Sequence, residues 1–294
     1  METLSSCPAC GEKKMTRELD AKDYTVSKNT FGIVRCSSCD LLFTNPRPKA
    51  ENAGYFYKSE NYISHSNTQK GFVNKLYHAV RNITLKQKTA LIQSEQKGEK
   101  KLLDVGCGNG HFLHACQQAG WNITGMELDP DTAERASELT QQNIYPNLAA
   151  IPAKEKFEMI TLWHVLEHVY ELDAYFEFFK NRINDGGKLL LALPNSKSFD
   201  ADYFKEFWAA YDVPRHIYHF NPETIQSVAK KHGFVLKKQK GQIFDSFYIA
   251  LLSHEYKTGS KKLISSFFIG LWSNLLAYFK TGNYSSNIYI FEHA

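Results

Sequence analysis

The sequence is short of several features, and each shortage removes a class of protein. Lysine and arginine outnumber aspartate and glutamate by only 35 to 31, a formal net charge of +4. That excess is too mild to argue for a nucleic-acid partner, and no dense basic run stands near the start. Residues 1–20 hold no apolar signal segment and no span suited to a bilayer, so a cytoplasmic location is expected. Six cysteines in that compartment do not suggest disulfides. The dinucleotide fingerprint G-x-G-x-x-G is missing too, since His111 stands where its last glycine would fall. What remains, at 294 residues, is room for one full α/β domain and a small appendage.

The centre of the chain is Lys101-Leu-Leu-Asp-Val-Gly-Cys-Gly-Asn-Gly-His-Phe-Leu113. Leu102, Leu103 and Val105 form the short apolar run of a buried parallel strand, and Phe112, Leu113, Ala115 and Cys116 suggest a helix. Between them Gly106, Gly108 and Gly110 allow a sharp turn and close approach by a ligand. Asp104, two residues before the first glycine, would repel a pyrophosphate and suit a cationic amino-acid moiety. A second strand, Trp121-Asn-Ile-Thr-Gly-Met-Glu127, ends in an acid about twenty residues on, where doubly wound folds grip ribose hydroxyls.

These stretches resemble motif I and the following acidic motif of class I S-adenosylmethionine-dependent methyltransferases. Three more narrow the resemblance: Phe157-Glu-Met-Ile-Thr-Leu-Trp-His-Val-Leu-Glu-His-Val169, Gly186-Gly-Lys-Leu-Leu-Leu-Ala-Leu-Pro-Asn195 and Tyr211-Asp-Val-Pro-Arg-His-Ile-Tyr-His-Phe220. Together they are similar to the bacterial branch, methyltransferase domain family 23, that includes ubiquinone-pathway O-methyltransferases and zinc-bearing sugar C-methyltransferases. The resemblance implies a Rossmann-like, seven-stranded α/β sheet with its last strand antiparallel. It implies a site for S-adenosylmethionine lined by Asp104, Gly106, Cys107, Gly108, Gly110, Glu127, Leu128, Trp163 and His164. In place of the Asn/Asp-Pro-Pro-aromatic signature of base N-methyltransferases, the fourth strand is followed by Leu-Trp-His-Val. The acidic residue that holds adenine in many relatives is not evident after Asn143-Ile-Tyr-Pro-Asn-Leu148.

Ahead of this domain, Cys7-Pro-Ala-Cys10 and Cys36-Ser-Ser-Cys39 are two C-x2-C pairs. Two such knuckles make a tetrahedral four-thiolate site suited to structural Zn²⁺, with no open position for chemistry. A module this small buries little core, so the metal would hold it together. Free or redox thiols are the alternative. The insert between the pairs reads as a hairpin of Tyr24-Thr-Val and Phe31-Gly-Ile-Val-Arg35. The expected division is a zinc-ribbon module at 1–48, lid and linker helices at 49–97, and the methyltransferase domain at 98–294. In relatives the second of these regions folds over the cofactor, which would bring Tyr57, Tyr62 and His65 to donor or substrate. Packing of the lid is the equal alternative.

Four residues are candidates for the chemistry. If 164–168 is helical, His164, Glu167 and His168 share a face, as a base with its orienting partner or as metal ligands. The ubiquinone-pathway relatives carry Glu, Glu and His there with a divalent cation, and His164 in the first position puts that metal in doubt. His216, in an aromatic loop over 199–220, is the candidate base. Arg215 either holds a substrate anion or pairs with Asp212. Between the sixth and seventh strands lies a helical insertion, about 246–281. Its second helix, 261–280, is an apolar stripe flanked by Lys261, Lys262 and Lys280. It is read as a packing or subunit-pairing surface, giving a homodimer, in preference to peripheral membrane contact. The function expected is methylation of oxygen or carbon on a small-molecule acceptor: a sugar, a quinone-like compound or a cell-envelope precursor. An rRNA methyltransferase and a non-catalytic S-adenosylmethionine-binding module are the alternatives.

Overall fold

The computed structural model describes residues 1–57, 72–96 and 98–293, with 72–80 described by backbone alone. Three strands open the chain: β1 (Met15–Lys22), β2 (Thr30–Cys36) and β3 (Leu42–Thr44). A long helix α1 (Phe72–Glu95) precedes the repeating part. There β4 (Lys101–Val105), α2 (His111–Gln118), β5 (Asn122–Met126), α3 (Pro130–Thr140), β6 (Ile144–Tyr145) and β7 (Phe157–Trp163) alternate. They are followed by α4 (Leu172–Arg182), β8 (Ile183–Pro194), α5 (Phe199–Phe204), β9 (Tyr218–His219), α6 (Pro222–Lys231) and β10 (Phe234–Gly241). Helices α7 (Asp245–Thr258) and α8 (Leu263–Leu276) and strand β11 (Ser286–His293) close the chain.

The larger sheet has seven strands in the order β10-β11-β8-β7-β4-β5-β6, mixed, with the last strand antiparallel. This is the class I methyltransferase sheet that the motifs imply. Its central strands are apolar on both faces: Leu102, Leu103, Met159, Ile160, Leu190 and Leu191 are all fully buried, as parallel strands covered by helices must be. Helix starts follow local chemistry. Asp129 accepts the N–H of Thr132, with Pro130 in the first turn of α3, and Asn221 with Thr224 forms a capping box on α6.

The chain divides into two compact units. One comprises 62–163, 177–190 and 291–294, the other 1–61, 164–176 and 191–290. In the first, β4 runs parallel to both β5 and β7, and Val105 pairs with Met126 on one side and Leu162 on the other. The next residues along the three strands, Gly106, Glu127 and Trp163, therefore emerge at the same carboxyl edge.

The second unit holds a four-stranded sheet, β1-β2-β3-β9. Its fourth strand arrives from far along the chain: Leu42 pairs with His219 and Phe43 with Tyr218. The core behind it joins Phe31, Ile33 and Leu42 to Phe204, Trp208 and Tyr211. The aromatic loop of 199–220 is thus mostly packing, and the indole N–H of Trp208 donates to buried Asp200 at 2.8 Å. The hairpin between the cysteine pairs also differs from expectation. Its first strand is Met15–Lys22, while 23–29 form a turn around the Asp23 carboxylate, which accepts the N–H groups of Thr25, Val26 and Ser27. That aspartate ends the strand before the apolar-looking Tyr24-Thr-Val can extend it.

Candidate functional site

The glycine turn is built as the sequence implies. Gly106, Gly108 and Gly110 all take positive φ (71°, 55° and 75°), conformations other residues adopt at a cost. A Cβ on Gly110 would lie 3.0 Å from Ala136, so that glycine permits helix packing, whereas one on Gly108 would meet nothing within 4 Å. The space over Gly108 is open. Its N–H donates to Glu127 Oε2 at 2.9 Å, and Glu127 Oε1 accepts the N–H of Asp129 at 3.1 Å. The acid at the strand tip is therefore tied to the turn. Cys107 is buried beneath it, and Leu128 is exposed. Trp163 lies edge-on to Phe112, with Lys88 Nζ 4.1 Å from its ring centre.

Asp104 is 2% exposed and accepts the Thr161 hydroxyl at 2.6 Å. Burial pushes its carboxyl up to about 7, against the opposing influence of Thr161 and Lys88. A carboxylate so placed is short of positive charge. Open space at Gly108, an under-compensated acid and a tethered second acid form a donor set that fits an S-adenosylmethionine molecule, whose amino group and ribose hydroxyls match them.

In the second unit, residues 164–168 are not one helical face. His164 takes a left-handed φ of 59°, and only a single 3-10 turn, Leu166–His168, follows. A left-handed residue cannot join a right-handed helix, so the three side chains do not share one helical face. The His164 ring lies 3.3 Å from Asp245 and 3.5 Å from Glu167, with the Gln242 side-chain amide at 2.9 Å. Burial opposes its charge, but the two carboxylates outweigh it and raise the imidazole to about 9. At neutral pH His164 is a cation and cannot serve as a base.

His168 and His216 are different. Nδ1 of His216 is 2.8 Å from the Ala210 carbonyl, and Nδ1 of His168 is 3.0 Å from the Arg215 carbonyl and 2.9 Å from the Tyr57 hydroxyl. A carbonyl only accepts, so each Nδ1 carries the proton and each Nε2 offers a lone pair. The rings meet edge to face at 4.7 Å, and burial, joined by His216 whenever that ring is protonated, pushes His168 down to about 4. Glu167 is 1% exposed, its oxygens have no hydrogen-bond partner among the described residues, and one lies 4.0 Å from His216 Nε2. Burial alone would raise this carboxyl, but His164, then His216 and His168, hold it below its ordinary value. One ligand atom each from Glu167, His168 and His216 falls within 4.8 Å of the others, a spacing a divalent cation could bridge.

Arg215 resolves to its structural alternative. It is buried, 2.5 Å from Asp212 and 3.3 Å from Asp23, and it donates to the Phe56 carbonyl. Two other segments of the second unit, at Asp23 and Phe56, therefore clamp the loop that carries His216. Thr44 of β3 completes the clamp by donating its hydroxyl to the His216 carbonyl at 2.9 Å. Thr44, Asp23, Gln242 and Asp245 were not among the residues singled out from sequence; each is distant in the chain, and none sits in a motif. Tyr62 and His65 lie outside the described residues.

The four cysteines converge. Cys7 and Cys39 sulfurs are 3.6 Å apart, Cys10 and Cys36 3.5 Å, and all four fall within 4.8 Å of one another. Tetrahedral zinc with Zn–S of about 2.3 Å separates its sulfurs by about 3.8 Å. The knuckles are alike: Gly11 and Asp40, each just after its pair, have φ of 79° and 63°, and their N–H groups return to Cys7 and Cys36 carbonyls at 2.9 and 3.1 Å. Burial pushes the Cys7 thiol up to about 11, an environment in which a thiolate needs a cation beside it. The donor set fits zinc.

Comparison with known proteins bears on the family and the fold. Residues 77–239 match the model of a family described as a methyltransferase domain, and the chain belongs to that family. Among curated proteins it is similar to the ubiquinone biosynthesis O-methyltransferase of Hydrogenovibrio crunogenus, 27% identical over 160 residues, covering 50% of this chain and 66% of the relative. The protein of the same name from Haemophilus ducreyi is 31% identical over 119 residues, 35% and 50% of the two chains. The chain thus spans half to just under two thirds of these relatives. Among solved structures, magnesium protoporphyrin IX methyltransferase from Synechocystis PCC 6803 with bound SAH has a TM-score of 0.51 at 16% identity, over 79% of this chain and 91% of that one. That likeness is one of fold.

Proposed function

We propose that this protein transfers a methyl group from S-adenosylmethionine to an oxygen or carbon of a small-molecule acceptor in the cytoplasm, with structural zinc in its four-cysteine site. The observation that carries the reading is the glycine turn: open over Gly108, flanked by buried Asp104 and tethered Glu127. Family membership and similarity to proteins named O-methyltransferases support it.

When bound, S-adenosylmethionine supplies a methyl group already activated by its sulfonium. Asp104 would hold the donor's ammonium, Glu127 its ribose hydroxyls, and Gly108 its backbone-side edge. On the acceptor side, His216 Nε2 takes the proton that frees an attacking lone pair, its ring held by the bond from Nδ1 to Ala210. Glu167 then faces the imidazolium so formed and stabilises it. Tyr57 fixes the neighbouring His168, which stays neutral. His164, already charged and paired, sets the loop rather than taking protons. Zinc would fix the sheet whose strand β3 holds the His216 carbonyl.

The test is transfer of a labelled methyl to fractionated extract: sugar nucleotides, quinone precursors, lipids and RNA. Label in a small-molecule fraction, lost in His216→Ala, is the expected result. Label confined to RNA would replace this reading with the rRNA methyltransferase. Donor binding without transfer to any fraction would replace it with a binding module.

A further inference from the structure

Helix α8, with the turn that continues it to Thr281, is inverted relative to an ordinary soluble helix. The side facing its own unit is small and polar. Ser266 meets His254 at 2.9 Å, Ser273 donates to Asp200 at 2.8 Å, and a Cβ on Gly270 would come 2.8 Å from Phe247. The side facing out is large and apolar: Ile264 is 77% exposed, Phe268 61%, Trp272 53% and Tyr278 73%. A surface helix in water places these classes the other way round. Small residues against a neighbouring helix and bulky ones outward is the arrangement of a helix in lipid. The stretch Leu263–Thr281 has 19 residues and a mean hydropathy of 1.2, so length and composition alone would let it cross a membrane. It is held along one side by α5 and α7, however, so lipid can reach only its outer face.

Charge decides between the occupants of that face. No acidic residue occurs from Lys261 to Thr281, while Lys261, Lys262 and Lys280 stand at its two ends. Lys257 adds a fourth cation at the end of α7, and the nearby Glu255 is engaged with Lys261 at 3.7 Å. Two copies packed by this face, parallel or antiparallel, would oppose lysines with lysines and offer no carboxylate between them. An anionic bilayer surface meets the lysines with headgroup phosphates and the aromatic face with acyl chains. We infer that the outer face of α8 docks this protein in-plane on an anionic lipid surface, apolar side chains inserted and lysines at headgroup level.

The test uses the full chain with phosphatidylcholine vesicles, with and without phosphatidylglycerol. The expected result is binding to the anionic vesicles, weakened about fivefold per charge removed in Lys261→Gln/Lys262→Gln and at least about a hundredfold in Phe268→Ser/Trp272→Ser. All four side chains are exposed, so melting temperatures should be unchanged. Brominated lipid should quench tryptophan emission in the wild type and much less in Trp272→Phe, which still binds. Two results would overturn the inference: no binding to either vesicle, or a dimer in solution that Phe268→Ser/Trp272→Ser dissociates while vesicle binding is absent.

Discussion

The glycine turn and the histidine cluster are assembled in opposite ways. The turn is local: Asp104 to Gly110 and Glu127 lie within one strand–helix–strand repeat, and strand register alone brings them to one edge. The cluster is scattered. Thr44, Tyr57, His164 to His168, Asp212 to His216 and Gln242 to Asp245 come from five segments, each fixed by side-chain bonds to another. The electrostatics differ as well. In the turn a carboxyl is left under-compensated and suits an incoming cation. In the cluster the charges largely satisfy one another, leaving two imidazole lone pairs beside a buried carboxylate. A candidate ligand site assembled by one motif and a candidate chemical site assembled by the fold coexist in one chain.

That contrast can be broken experimentally. The largest effect should come from His216→Ala, lowering kcat by about 10²–10⁴ with donor Kd unchanged by calorimetry; a parallel loss of donor affinity would mean the two regions are not separable. Gly108→Asp should do the reverse. With a φ of 55° and a new carboxylate beside Glu127, donor Kd should rise at least about a hundredfold while the melting temperature changes little.

Donor affinity should also follow the ionisation of Asp104. Its carboxyl is raised from 3.8 to about 7, so burial favours the fold below the lower value, and that contribution is lost as pH rises toward the upper one. The ionised form is the one that attracts the donor. Binding should therefore weaken about tenfold per pH unit below 7, and Asp104→Asn should bind weakly with a flat profile.

Cys7→Ala/Cys10→Ala tests the other region from its far side. Metal analysis should find one zinc per wild-type chain and none in the variant. Turnover should fall roughly tenfold through the loop that Thr44 holds, with donor Kd again unchanged. The smallest effect belongs to His164. Its imidazole is raised to about 9, so its stabilisation is complete below pH 6.5 and is lost as pH rises through 9. With the side chain 34% exposed, solvent screening limits the loss to about 1 kcal/mol or less; a melting series from pH 6 to 10 on wild type and His164→Gln measures it.

The sheet and the glycine turn were legible because the information is short-range: apolar runs, glycine spacing, an acid one strand away. Two C-x2-C pairs likewise announce their convergence. The fourth strand of the small sheet was not legible, since Tyr218-His219 is too short to show a period and its partner is β3. Nor could spacing foretell that His164 would be charged, because that follows from Asp245, eighty-one positions downstream, and from a left-handed turn no pattern marks. Arg215 was ambiguous for the same reason: Asp212 was visible beside it, Asp23 was not. For helix 261–280 hydrophobicity identifies the stripe without saying which side faces inward; the serines and glycine hold that answer, since they pack inward and the bulky side chains face out.

The hydroxyl of Thr44 and the His216 carbonyl are separated by 172 positions. A ribosome delivers the cysteine module long before the residues that complete its sheet, so β3 must wait as an open edge for most of synthesis. If the four sulfurs take up zinc early, that metal would keep the unfinished edge from wandering into a wrong partner, guarding the nascent chain as well as bracing the finished one.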